Sequence, residues 1–270
     1  MNEVQRVIKY LAVGFALFLT FSIITGIMGG LFSIGSIFDT DDDQSINEKL
    51  EGININNDSK IIDINIASSN ITFKRGDNLK AETNNEYITI EESSDRLTIK
   101  EKKHSWFKTN NTDLIIYIPE NYIFDGISIE AGAGKVDIKD FSTKKLYLEL
   151  GAGKALINNI TTINNTKIDG GAGDLTISNS TLHNLDLDLG VGKVDISSKI
   201  TGISDIESGV GKVNIALVGS IDDYKIFLDK GLGTTSIDGI KVEDESIYGN
   251  GNNRIDIEGG VGSIDVVFTN

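Results

Sequence analysis

A Gly-apolar-Gly triplet returns seven times in the second half of this chain. The copies are Gly132-Ala133-Gly134, Gly151-Ala152-Gly153, Gly171-Ala172-Gly173, Gly190-Val191-Gly192, Gly209-Val210-Gly211, Gly231-Leu232-Gly233 and Gly260-Val261-Gly262. Their first glycines stand 19, 20, 19, 19, 22 and 29 residues apart. A near-constant period of this length means stacked, similar units that cannot bury their apolar faces alone. A propeller would expect a repeat of about 40 residues with four strands, so a stack of one-turn coils is the better match.

With each first glycine as position zero, the columns sort by chemistry. Position −3 is always apolar: Ile129, Leu148, Ile168, Leu187, Ile206, Leu228 and Ile257. So is position +6: Ile138, Ile157, Ile177, Ile196, Ile215, Ile237 and Val266. Position +4 holds Val136, Ala155, Leu175, Val194, Val213, Thr235 and Ile264. Strands alternate faces strictly, yet parity breaks between +1 and +4, which puts a bend at the second glycine. Glycine adopts the angles of such a bend without a side-chain clash. Each unit therefore reads as a strand, a glycine corner, a second strand and a polar turn, with −3, +1, +4 and +6 pointing inward. At roughly 4.8 Å per coil, seven coils give a rod about 34 Å long.

Composition bounds the chemistry. The chain has no Cys, which excludes disulfides, thiolate metal sites, a thiol nucleophile and a lipoprotein anchor. Only His104 and His183 are present, too few for a histidine metal site or an acid–base pair of histidines. The formal charge of −15 argues against nucleic acid as a partner. From Tyr10 to Phe38 no residue is charged, a stretch long enough to cross a bilayer as a helix. Arg6 and Lys9 precede it and Asp39, Asp41, Asp42 and Asp43 follow, so the N-terminus is expected in the cytoplasm and the rest outside. A signal peptide has an apolar core of about 7–15 residues, shorter than this one.

The expected organisation is a cytoplasmic N-terminus over 1–9, a transmembrane helix over 10–38 and an acidic linker over 39–51. A capping region with the first coils spans 52–127, and the Gly-x-Gly β-solenoid spans 128–270. In the capping region, Ile64–Phe73 reads as a degenerate coil with serine at the corner, and further alternating strands end at Pro119, the only proline.

This Gly-apolar-Gly-x-apolar-x-apolar repeat behind one N-terminal helix resembles the bacterial putative-adhesin β-strand-repeat family, a domain of unknown function. The resemblance covers roughly residues 53–270. It implies an all-β, right-handed, single-stranded β-helix anchored to the membrane, with no catalytic residues to carry across. The expected function is a non-enzymatic extracytoplasmic adhesion or binding surface, with a cell-wall polymer or another envelope protein as partner. An envelope accessory protein working through a membrane partner, and a polysaccharide-active β-helix enzyme, are the competing readings.

Two surface features stand out. Position −2 is acidic in every unit: Glu130, Glu149, Asp169, Asp188, Glu207, Asp229 and Glu258. Stacking sets these carboxylates about 5 Å apart, and like charges at that spacing repel unless offset. Lys135, Lys154, Lys193 and Lys212 at +3 are the expected counter-ions, giving two facing ion-pair ladders. A row of Ca²⁺ sites is the competing reading, since Ca²⁺ takes oxygen ligands from paired carboxylates; no other cofactor is expected. The second feature is the basic aromatic stretch around the only Trp, with Lys102, Lys103, Trp106, Phe107 and Lys108 as a contact tip for anionic polymer or lipid headgroups, or as a cover over the open core. His183 is expected to be a solvated turn residue.

Overall fold

The computed structural model describes residues 50–55, 59–102, 112–229, 231–242 and 246–269. The expected anchor over 10–38 and its flanks lie outside these residues. Among the described residues no helix is long and apolar enough to cross a membrane.

Alternation of apolar and polar residues makes almost every described segment a strand. The first are β1 (Glu51–Asn54), β2 (Ile61–Ser68), β3 (Asn70–Arg75), β4 (Lys80–Thr83) and β5 (Ile88–Ser93). Next come β6 (Arg96–Glu101), β7 (Asp113–Ile118), β8 (Ile123–Phe124) and the 58-residue ribbon β9 (Gly126–His183). The regular stack continues in β10 (Leu185–Thr201) and β11 (Ile203–Val218). After a short 3₁₀ turn follow β12 (Tyr224–Asp229), β13 (Leu232–Ile237), β14 (Ile240–Lys241), β15 (Ser246–Tyr248) and β16 (Asn253–Thr269).

β10 lies between β9 and β11 and pairs parallel with both. Val194 stands beside Leu175 on one side and Val213 on the other, 19 residues away each way. Like residues therefore stack on like. The −3, +4 and +6 columns are all buried, from Ile129 to Val266. Each such aliphatic side chain contributes on the order of 1.5–3 kcal/mol by leaving water.

The corner shows why the triplet needs glycine. Gly192 has φ of +147°, and a Cβ there would run into the carbonyl oxygen of Gly173 in the coil below. Both the backbone angle and the close approach of neighbouring coils exclude any other residue.

The corner also corrects the sequence reading of +1. That position is outside the core in every copy: Val210 is 36%, Val261 49% and Leu232 76% exposed, and Ala133, Ala152, Ala172 and Val191 are half-buried. The chain already turns at the first glycine, so +1 sits on the convex apex. The inner side is filled from −1 instead, by Ala131, Leu189 and Ser208.

A further set of inward positions lies beyond the second strand, where a polar turn alone was expected. Asn159 and Asn179 take left-handed angles (φ of 51° each), and the chain then sends Ile160, Thr162, Ser180 and Leu182 inward. The buried hydroxyls here are bonded between coils. Ser180 Oγ accepts from the backbone N–H of Ile160, and Thr162 Oγ1 accepts from that of His183. His183 is itself half-buried and hydrogen-bonded to Thr201 through Nδ1, at 2.9 Å. It is therefore tied into the stack rather than solvated.

At both ends the stack departs from chain order. β16, the last strand, inserts between β11 and the coil made by β12 and β13. Val213 pairs with Ile264, and Ile264 pairs with Thr235 on its other side. The triplet at Gly260 thus lies between those at Gly209 and Gly231. The N-terminal end mirrors this. β2 lies between β6 and β9, and β3 between β7 and β9, so the first coil in sequence is the second in space. Short antiparallel strands then cover the outermost coils. β5 lies on β6, β4 on β7 with β1 on β4, β15 on β12, and β14 on β13. Covering an exposed parallel edge in this way blunts unwanted strand addition.

Candidate binding face

The strand before each corner turns −6, −4 and −2 outward, and register stacks these positions into three files on one face. The expected acidic file at −2 exists. Asp188 stands between Asp169 and Glu207, Glu207 beside Glu258, and Glu258 beside Asp229. Asn65 precedes Glu130 in the file and donates its amide to that carboxylate.

Three of the four lysines expected to offset this file pair elsewhere. Lys135 pairs with Asp137 at 3.3 Å, Lys193 with Asp195 at 2.6 Å and Lys212 with Asp265 at 3.7 Å. All three aspartates lie at +5, on the strand beyond the corner. The bend puts +3 and −2 on different faces, so the lysines find acids two residues along their own strand or its neighbour. The facing-ladder arrangement is therefore incorrect.

Charge on the −6, −4 and −2 files is segregated along the stack. Towards the N-terminal end stand Arg96, which is paired with Asp63, and Lys167, which bridges Asp169 at 3.0 Å and Asp186 at 3.2 Å. These carboxylates raise the Lys167 pKa. Tyr147 donates its hydroxyl to Glu149 at 2.7 Å, which pushes its pKa up to about 12. Towards the C-terminal end stand Asp186, Asp188, Asp205, Glu207, Asp256 and Glu258, with Arg254 held by Asp256 through two bonds of 2.8 and 2.6 Å. Partial burial, then repulsion by Asp256 and Asp186, raises the pKa of Asp205. Partial burial, then Asp205, Glu258, Asp188 and Asp186, does the same for Glu207.

Among the described residues no three carboxylates or histidines converge as a metal cluster; the acids run in files. Of the expected contact tip only Lys102 is described. It is exposed at the end of β6, and its backbone N–H bonds to Tyr87. Lys103, Trp106, Phe107 and Lys108 lie outside the described residues.

Solved structures are similar to this chain to different degrees. A putative adhesin from Bacteroides fragilis is similar with a TM-score of 0.53 and 14% identity, over 81% of this chain and 96% of that one. A putative cell adhesion protein from Clostridium sporogenes is 20% identical over 82% of this chain and 99% of its own, with a TM-score of 0.39. A putative adhesin from Parabacteroides distasonis is 14% identical over 80% and 96%, with a TM-score of 0.42. The Bacteroides fragilis protein supports the fold, and at these identities the likeness goes no further. The comparison with curated proteins finds no match. A match to the family described as Toastrack DUF4097 spans residues 50–257.

Proposed function

Since the chain belongs to the Toastrack DUF4097 family, we propose that it is a non-enzymatic binding surface, a coiled β-solenoid held outside the cell on its N-terminal apolar segment and used for adhesion to a wall polymer. The observation that carries this reading is the repetition of outward side chains in files. A polymer presents the same group again and again, and a ladder of equivalent positions meets it many times over. Linked contacts of this kind raise avidity without any single strong site. A reaction centre instead needs a few groups set apart by a distinct environment. Adhesin names among the structural neighbours point the same way. The uncharged run from Tyr10 to Phe38, with cations before it and acids after it, supports the anchor and its orientation.

The test pairs topology with adhesion. A reporter active only outside the cytoplasm, fused after Asn270, should give signal. Cells carrying the full chain should adhere to surfaces coated with purified wall polymer more strongly than cells lacking it. A silent reporter, or equal adhesion, would count against the proposal.

A further inference from the structure

We propose that the binding face carries a discrete subsite at Gly126 for a sugar ring bearing one anionic substituent. This rests on the reading of the solenoid as a glycan-binding surface and assigns the place and chemistry of contact. The −6 file runs from Arg96 through Ile61 to Gly126 and on to Lys145. Every member but Gly126 has a side chain, so the file has a gap. A Cβ added at Gly126 would meet nothing within 4 Å, although the glycines of the corners are packed against backbone. Gly126 also takes no left-handed angle, so no backbone requirement explains it.

The gap opens a groove of about 340 Å³, within the range of roughly 300–1,000 Å³ usual for small-ligand sites. Tyr147 in the −4 file forms one wall, and Ile61 gives an apolar surface beside the gap. Tyr147 is half-buried, with its hydroxyl held by Glu149, so the ring is fixed as a platform against which the C–H face of a sugar can lie. Lys145 is exposed and makes no ion pair among the described residues. The neighbouring cations Arg96 and Lys167 already hold carboxylates. Lys145 is thus the cation left to meet an anionic substituent. Asn165 and Ser128 also border the groove, whose surface is otherwise almost entirely apolar. The anion could be a uronate carboxylate or a sugar phosphate, and both fit the same lysine.

The experiment measures binding of the full-length protein in detergent to polygalacturonate, phosphorylated dextran and neutral dextran. At least one charged polymer should bind, and the preference between the two distinguishes carboxylate from phosphate. Gly126→Leu fills the groove at a site with room for it. It should weaken that binding tenfold or more while leaving the melting temperature and circular dichroism unchanged. Lys145→Gln should remove the preference for charged over neutral polymer. Undiminished binding by Gly126→Leu would overturn the subsite, and equal binding of neutral dextran would overturn its anionic specificity. Adhesion to wall polymer without binding of any of the three probes would overturn the inference while leaving the proposed function standing. Loss of both would remove the two together.

Discussion

At the scale of single residues, the triplet's three positions have opposite tolerances. Gly192→Ala would force a side chain into the Gly173 carbonyl at a backbone angle that L-residues rarely adopt. Strain and overpacking together should cost about 3 kcal/mol or more, read as a fall in melting temperature or a failure to fold. Leu232→Asp, at a +1 apex that is 76% exposed, should stay within about 1 kcal/mol of wild type. The −3, +4 and +6 columns could be read from the sequence because each is apolar in nearly every copy. Position +1 is equally apolar yet lies outside the core, and chemistry alone cannot tell an apex from an interior when both hold Ala or Val. The acidic face makes a second residue-scale expectation. The raised pKa values of Asp205 and Glu207 mean that the folded state binds protons more readily than the unfolded chain. The cost of ionising them, partial burial first and then repulsion by neighbouring acids, is therefore fully present at neutral pH and is relieved as pH falls through the raised values. Glu207→Gln should stabilise the fold at pH 7 by less than about 1 kcal/mol, since the group is largely solvated, read as a small rise in melting temperature that vanishes near pH 4. A gain that grows on acidification would contradict the assignment.

Among elements, β16 carries more than its terminal place suggests. It is a wedge between β11 and the coil of β12 and β13, and it pairs with all three. Removing residues 253–270 would uncover Ile206, Val213 and Ile215 on one side and Leu228 and Ile237 on the other. Hydrogen exchange of such a truncation should show protection lost from β11 through β13 and retained in the β9 ribbon. Uniform protection throughout would mean that the neighbouring coils close the gap by themselves. This insertion is invisible in the sequence for a physical reason. The Gly260 and Gly231 triplets are interchangeable in pattern, and only the closing antiparallel strands decide which lies outermost. The inward turn is hidden in the sequence for another reason. Its positions alternate apolar and hydroxyl residues, as Ile160 with Thr162 and Ser180 with Leu182 do, and a buried hydroxyl looks like a turn residue until its partner in the next coil is seen. The Gly126 groove is a missing side chain, which becomes a recess only once Ile61 and Lys145 are stacked on either side of it.

For the whole molecule, the formal charge of −15 is spread unevenly. Basic groups offset it near the N-terminal end of the binding face, and acids outnumber bases at the C-terminal end, where Arg254 holds Asp256. We propose that the −2 file is a solvated charged surface with no resident ion. Millimolar Ca²⁺ should then shift the melting temperature no more than NaCl of equal ionic strength. A saturable rise, abolished by the triple change Glu149→Gln, Asp169→Asn and Asp188→Asn, would instead assign a metal to the file, because a ligand that binds only the folded state stabilises it.

The most direct measurement follows bound polymer over time. Full-length protein is mixed with purified wall polymer, the bound fraction is determined as polymer concentration rises, and the polymer's chain length is read by size-exclusion chromatography. A non-enzymatic solenoid predicts saturable, reversible binding and a chain length that stays constant however long the incubation. Progressive shortening of the polymer, or no saturable binding at all, would contradict it.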